Sequence, residues 1–176
     1  MTVVIRRALA AEAPDLAAIA ALTFPLACPP STTAEAIREF IDTHLSAAAF
    51  ARYLVDPSRM LFVADDAGRL LGYTMLVAGE PADPDVAAAI TARPTIELSK
   101  CYAHPDAHGT GLAGELVAAS VAEARAAGAA GVWLGVNQEN ARANRFYEKQ
   151  GFALVGEKHF LVGDELHDDF VRELVL

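Results

Sequence analysis

The run His104-Pro105-Asp106-Ala107-His108-Gly109-Thr110-Gly111-Leu112-Ala113-Gly114 lies between a strand-like segment and a long segment with helical apolar spacing. A helix N-terminus carries unpaired backbone N–H groups and the positive end of the helix dipole. Glycines ahead of it let the backbone approach a phosphate closely. Gly109, Gly111, Ala113 and Gly114 put small residues at that point, with Thr110 and Leu112 between them, so a pyrophosphate can be held here without lysine or arginine. Two other readings stay open. Gly109-x-Gly111-x-x-Gly114 also fits the dinucleotide fingerprint, which should follow its strand at once and meet an acid about 20 positions on. Here Pro105 to His108 intervene, and the next strand ends Gly135-Val136-Asn137. The third reading is a plain tight turn that opens a helix.

Outward from this run, the pattern is mixed α/β. Towards the N-terminus, Thr95 to Ala103 reads as a strand. Met60 to Ala64 and Leu70 to Val77 read as a hairpin around Asp65-Asp66-Ala67-Gly68. Gly79 to Pro94 is a connection with a short helix near Val86 to Ile90. Val3 to Ala8 is a first strand, and a helix runs from Pro14 to Leu22. Phe24 to Pro30 is expected as a loop because of its prolines. Ser31 or Thr32 is the expected cap of a further helix, with Glu35 completing a capping box from Thr32. Ser46 opens another helix that Asp56-Pro57 ends. Towards the C-terminus, Gly111 to Ala127 is a helix stopped by Gly128. Gly131 to Val136 is a strand, and Asn140 to Gln150 a helix closed by Gly151. Phe152 to Phe160 and Phe170 to Leu176 are the last two strands.

The helix near the C-terminus carries a second motif, Asn140-Ala141-Arg142-Ala143-Asn144-Arg145-Phe146-Tyr147-Glu148-Lys149-Gln150-Gly151-Phe152. With the glycine-rich run before it, this order resembles the acyl-CoA-binding half of the GNAT superfamily of N-acetyltransferases, over about residues 60 to 160. The family's pyrophosphate loop, Gln/Arg-x-x-Gly-x-Gly/Ala, is matched by His108, Gly111 and Ala113, with His108 departing from the usual Gln or Arg. Its second signature is matched by Asn140, Ala143, Phe146, Tyr147, Glu148, Lys149, Gly151 and Phe152. The tail from Val155 to Glu165 is similar to that of PaiA-type polyamine acetyltransferases, in which an aspartate often stands at the place of Asp168 or Asp169.

The resemblance implies a GNAT-like fold: a mostly antiparallel central sheet flanked by helices, with a splayed strand pair holding acyl-CoA. It implies one N-acetyltransferase domain over residues 1–176, using acetyl-CoA and no metal. The acetyl group would pass directly to a primary amine, without a covalent enzyme intermediate. A small polyamine such as spermidine is the implied acceptor. A protein N-terminus or lysine, and a non-catalytic acyl-CoA sensor, are the alternatives. The backbone of Cys101, Tyr102 and Ala103 would line the pantetheine arm and hold the thioester oxygen. His108 to Gly114 would cradle the pyrophosphate. Tyr147 is the candidate general acid, since a phenol of pKa about 10 keeps its proton at neutral pH; the alternative is a core residue of its helix. Glu97 is the candidate general base, unless it is paired with Lys100 or Arg93. Asn140 would contact the cofactor, cap its helix, or do both. Arg142 and Arg145 either approach the CoA phosphates or form a solvated helix face.

Composition agrees with these expectations. A chain of 176 residues suits a single domain with a sizeable core. A net charge of −9 disfavours nucleic acid and suits a cationic small molecule. Cys28 and Cys101 lack metal-ligand spacing and read as free thiols; Cys101 has no base beside it in sequence and is not read as a nucleophile. His104 reads as a turn residue, and Trp133 as core. His44, His159 and His167 form no ligand set. No apolar run approaches the roughly 20 residues of a membrane span, and no signal-peptide pattern follows Met1, so a cytoplasmic protein without membrane partners is expected. GNAT proteins often dimerise, so the resemblance also implies a homodimer.

Overall fold

The computed structural model describes residues 2–176, which leaves Met1 outside. Its strands are β1 (Val3–Arg7), β2 (Arg59–Asp66), β3 (Arg69–Ala78), β4 (Thr95–Ala103), β5 (Gly131–Asn137), β6 (Ala153–Val162) and β7 (Glu165–Val175). They form one seven-stranded sheet in the order β1-β2-β3-β4-β5-β7-β6. Every neighbouring pair is antiparallel except β4 and β5. The helices are α1 (Ala13–Ala27), α2 (Ala34–His44), α3 (Ala47–Val55), α4 (Pro84–Ala89), α5 (Leu112–Ala126) and α6 (Ala141–Lys149). This is the mixed, mostly antiparallel α/β architecture that the sequence led us to expect.

Period-2 alternation along the strands sorts side chains to two faces. Leu61, Val63, Tyr73 and Met75 meet α1, α2 and α3 on one face. Phe62, Ala64 and Leu71 meet α5 on the other, through Leu112 and Leu116. Val132, Leu134 and Val136 of β5 share that second face with Val117 of α5 and Tyr147 of α6. Helix α5 lies close to β3, because a Cβ at Gly72 would come within 2.8 Å of Leu116 Cδ1 and 2.9 Å of the Tyr102 carbonyl oxygen.

Several local expectations need correction. Phe24 to Pro30 is not all loop: α1 runs through Ala27 with Pro25 inside it. Proline removes a single N–H near the helix end, and packing outweighs that loss, since Phe24 is buried and stacks on Phe40 at 4.5 Å. The next helix is capped by Thr33, whose Oγ1 accepts from the Ala36 N–H at 3.2 Å. Thr32 instead buries its hydroxyl without a partner, so the capping box from Thr32 to Glu35 does not form. The last hairpin is longer than expected, with β6 reaching Val162 and β7 starting at Glu165. Its polar residues hid it: His167 and Asp169 face inward to a cleft, not outward to water. Residues 10–27 form an apolar stretch of mean hydropathy 1.2, long enough by length and composition to cross a membrane, contrary to the expectation for apolar runs. Leu16, Ile19, Ala20 and Phe24 of this stretch are buried in the core under the sheet.

Candidate functional site

The strands β4 and β5 pair only through Thr95–Gly131, Ile96–Val132 and Glu97–Trp133. Beyond Glu97 they part, so residues 98–103 lack a neighbour on that edge. A second irregularity lies on the other edge of β4. Met75 pairs with Lys100 and Leu76 with Leu98, so Ser99 is an extra residue with no partner in β3. Such a bulge leaves an unpaired residue and shifts the side-chain alternation by one. Glu97, Lys100 and Tyr102 consequently face α1 to α3, while Leu98 and Cys101 face the α5 and α6 layer.

The turn after β4 is exposed. Gly111 takes φ +89° as the cap of α5 and has no side chain to cap it; the Leu112 N–H donates to Thr110 Oγ1 at 3.4 Å, and the N–H groups of Ala113 and Gly114 stay open to a ligand. Gly109 is also at positive φ, and a Cβ at either glycine would meet nothing within 4 Å. His108 Nε2 lies 3.2 Å from the Ala103 carbonyl oxygen, and its Nδ1 lies 3.2 Å from Arg142 Nη1. A guanidinium only donates, so Nδ1 accepts, and the Nε2–H donates to Ala103. His108 thereby ties the end of β4 to α6 and holds Arg142 beside the turn. His104 Nδ1 accepts from the Asp106 N–H, the turn role expected of it.

Helix α6 is fixed from below. Asn140 Oδ1 accepts from the Ala143 N–H at 3.0 Å and caps the helix. The buried Arg172 donates from Nε to Asn144 Oδ1, and from Nη1 to the Phe152 carbonyl oxygen. Asn144 Nδ2 donates in turn to the carbonyl oxygens of Asn137 and Asn140. This anchoring sets Tyr147 edge-on to Phe152, with ring centroids 6.0 Å apart, and turns its hydroxyl towards the Cys101 thiol. Burial pushes Tyr147 well above the usual phenol range and Cys101 up to about 12, so both keep their protons at neutral pH.

Between the parted strands and helices α1 and α2 lies a cavity of about 220 Å³. Glu97, Cys101, Tyr102, Asn140 and Tyr147 line it, as do Phe24, Phe40 and Phe160. Its polar wall comes from Glu97, Lys100, Lys158, His167 and Asp169. Lys158 and Asp169 are cross-strand partners, and both lean over Gly135: a Cβ there would sit 3.1 Å from Asp169 Oδ2 and 3.2 Å from Lys158 Cδ. Burial raises the Asp169 carboxyl to about 6 against the pull of Lys158 and His167. Burial raises Glu97 too, against Lys158 and Lys100. Lys100 is pulled down to about 8 by the same loss of water. His167 Nε2 is buried without a hydrogen-bond partner.

The structure thus gathers Glu97, Cys101, Tyr102, Asn140 and Tyr147 around one cavity, while Ala103 ends β4, His108 to Gly111 form an exposed turn, and Leu112 to Gly114 start α5 with Leu112 buried. Arg93 is not the partner of Glu97, because it bonds Glu80 at 3.1 Å. Of the two adjacent aspartates, Asp168 pairs with His159 at the surface and Asp169 faces the cavity. Arg145 is exposed. Sequence reasoning did not single out Lys158, His167 or Asp169 as site residues. Beyond the PaiA-type resemblance, which pointed to Asp168 or Asp169 without choosing, their signal was period-2 spacing on a hairpin, which has meaning only once the inward face is known.

The profile of the Acetyltransferase (GNAT) family matches residues 23–152. A Mycobacterium tuberculosis protein described as an N-acetyltransferase is 47% identical over 166 residues, covering 93% of this chain and 99% of its own. Among solved structures, a PaiA N-acetyltransferase from Thermoplasma acidophilum, in complex with coenzyme A, aligns over 100% of both chains with TM-score 0.79 and 18% identity. The ribosomal-protein-S18-alanine N-acetyltransferase of Escherichia coli aligns over 99% of this chain and 94% of its own, with TM-score 0.69 and 18% identity. Identities this low speak for a shared fold alone.

Proposed function

Because this chain belongs to the acetyltransferase (GNAT) family and is an acetyl-CoA-dependent N-acetyltransferase, we propose that its acceptor is the primary amine of a small molecule held in the cavity beside β4. The 176 residues act as one domain on this reading. The observation that carries it is the small size of the cavity, about 220 Å³, with its polar wall flanked by Phe24, Phe40 and Phe160, Phe40 lying 4.5 Å from Phe24 and 5.5 Å from Phe160 between ring centroids. A peptide would need an open groove. The PaiA-type resemblance favours a small polyamine, and Glu97 and Asp169 offer carboxyls to a cationic amine.

The parted β4 and β5 and the α5 terminus fit acetyl-CoA: the N–H groups of Ala113 and Gly114 are free, the space around Gly109 and Gly111 is open, and the strands leave room between them. Acetyl-CoA supplies the activated acetyl group. His108 to Gly114 would hold its pyrophosphate by backbone N–H groups, with Arg142 adding a positive charge. The backbone of Cys101, Tyr102 and Ala103 would hold the arm, and Asn140 would contact it at the start of α6. An N–H left free by the Ser99 bulge or the parted edge can donate to an oxygen that gains charge. Glu97, with its raised carboxyl pKa, takes a proton from the ammonium, directly or through water, and frees the amine lone pair for direct attack. Asp169 holds the amine in place. Tyr147 keeps its proton until it donates it to the departing thiolate on the opposite side, and the second proton, shed by the acetylated nitrogen, returns through water to the tyrosinate.

We take the enzyme to be cytoplasmic, and a homodimer is the assembly that the resemblance supports. The test is thiol release from acetyl-CoA against spermidine, spermine, amino acids, aminoglycosides and N-terminal peptides. Turnover of one or more small amines, with none on peptides, is expected. Turnover of peptides alone would overturn the small-amine reading, and binding of acetyl-CoA without any turnover would favour the sensor.

A further inference from the structure

We propose that Lys100 is an anion-binding residue of the acceptor chamber, so that the acceptor carries a carboxylate beside its primary amine and an apolar side chain. The proposal rests on the small-amine reading above. Among the described residues, Lys158, which lines the chamber with Lys100, and Arg59 and Arg93, which lie outside its wall, all have partners. Arg59 bonds Asp56 at 3.2 Å, Arg93 bonds Glu80, and Lys158 donates to the His159 carbonyl oxygen at 3.0 Å. Lys100 has none: its ammonium meets no carboxylate within 4 Å and no hydrogen-bond acceptor. The Tyr53 ring lies 5.9 Å from the ammonium, and Arg59 already covers that ring at 4.7 Å.

Lys100 is half-buried on the chamber wall, and a partly desolvated charge without an ion-pair partner is costly. The surroundings do not remove that cost. Glu97 acts on Lys100 from a distance and favours its charged form, but the two form no ion pair within 4 Å. His44 is biased to its neutral form as well, by burial and by Lys100. The bulge at Ser99 turns Lys100 onto the chamber face beside Glu97, three residues apart in sequence. A side chain placed there by a special backbone feature, and left unpaired, fits a ligand that brings the anion.

The other walls complete the acceptor. Glu97 and Asp169 suit its amine, Lys100 its single negative charge, and the rings of Phe24, Phe40 and Phe160 its apolar part. That combination describes an α-amino acid with a large apolar side chain. A polyamine brings a second cation against Lys100 and Lys158, and like charges in a desolvated site discriminate strongly.

The experiment compares phenylalanine, phenylethylamine and spermidine as acceptors for the wild type, Lys100→Gln and Lys100→Met. Phenylalanine should exceed both amines by at least about tenfold in kcat/KM with the wild type, and both variants should lose that preference through KM rather than kcat. Equal or better use of spermidine or phenylethylamine, or a preference that survives both substitutions, overturns the proposal. Calorimetry with N-acetylphenylalanine reads the subsite without turnover. Binding to the wild type that weakens at least about tenfold in the variants supports it; no binding, or equal binding, overturns it. Absence of turnover with every acceptor sinks the transfer reading, and the calorimetry then still decides the role of Lys100.

Discussion

Tyr147 is where one atom separates function from packing. Its ring stands edge-on to Phe146 and Phe152, a role phenylalanine would fill equally well, while its hydroxyl faces Cys101. Tyr147→Phe should therefore lower kcat about 100-fold, as loss of a general acid does, with KM for acetyl-CoA changed by less than about twofold. Steady-state kinetics at saturating acceptor would show this, and an unchanged kcat removes the proton-donor assignment. Tyr147 and Glu97 were legible in the sequence because each sits in or beside a motif with fixed spacing. Lys100 was visible only as a candidate partner for Glu97. Its place on the chamber wall depends on a bulge that a string of residues does not announce.

At the scale of elements, the junction of β4 and α5 joins backbone strain to ligand approach. Gly111 holds φ +89°, which side-chain-bearing residues adopt at a cost of about 1–2 kcal/mol. Gly111→Ala should lower the melting temperature by several degrees, and its methyl group would stand where a phosphate approaches. We expect KM for acetyl-CoA to rise about tenfold or more, with KM for the acceptor little altered. A normal KM in a folded variant would refute the cradle. The short-range logic of caps and turns was mostly readable. Ser46 caps α3 through the Ala49 N–H at 3.1 Å, and the β2–β3 turn falls at Ala67 and Gly68, both at positive φ. It failed where tertiary contacts outweigh local preference. Pro25 stays helical because Phe24 stacks on Phe40, and Thr33 rather than Thr32 caps α2 because the Thr32 side chain is buried.

Stability is a property of the whole molecule, and the chamber lowers it. Asp169 is 6% exposed, and its carboxyl is raised from 3.8 to about 6. A raised acid favours the folded state fully only below the unfolded value. Its contribution falls as pH rises from about 4 to about 6, and above that the folded chain carries a poorly solvated charge. The difference amounts to up to about 3 kcal/mol. Asp169→Asn should thus melt higher than the wild type at pH 8, and the gap should close by about pH 4. Melting curves across this range decide it, and a gap independent of pH would mean that the carboxyl is not the cause. A binding site that costs stability in this way is common where charged groups wait for a ligand.

The order of strands and helices, the glycine turn and the tyrosine helix were written in local spacing, because 2- and 3.6-residue periods and capping chemistry act over a few residues. The parting of β4 from β5, the face taken by Lys100 and the meeting of Lys158 and Asp169 over Gly135 were decided only by the assembled sheet. Lys100, Gly135 and the Lys158–Asp169 pair come from β4, β5 and the last hairpin, segments well separated in the chain. Which of them share a wall depends on the β4 bulge and on the pairing register of β5, β6 and β7, where a slip of one residue would send each side chain to the opposite face.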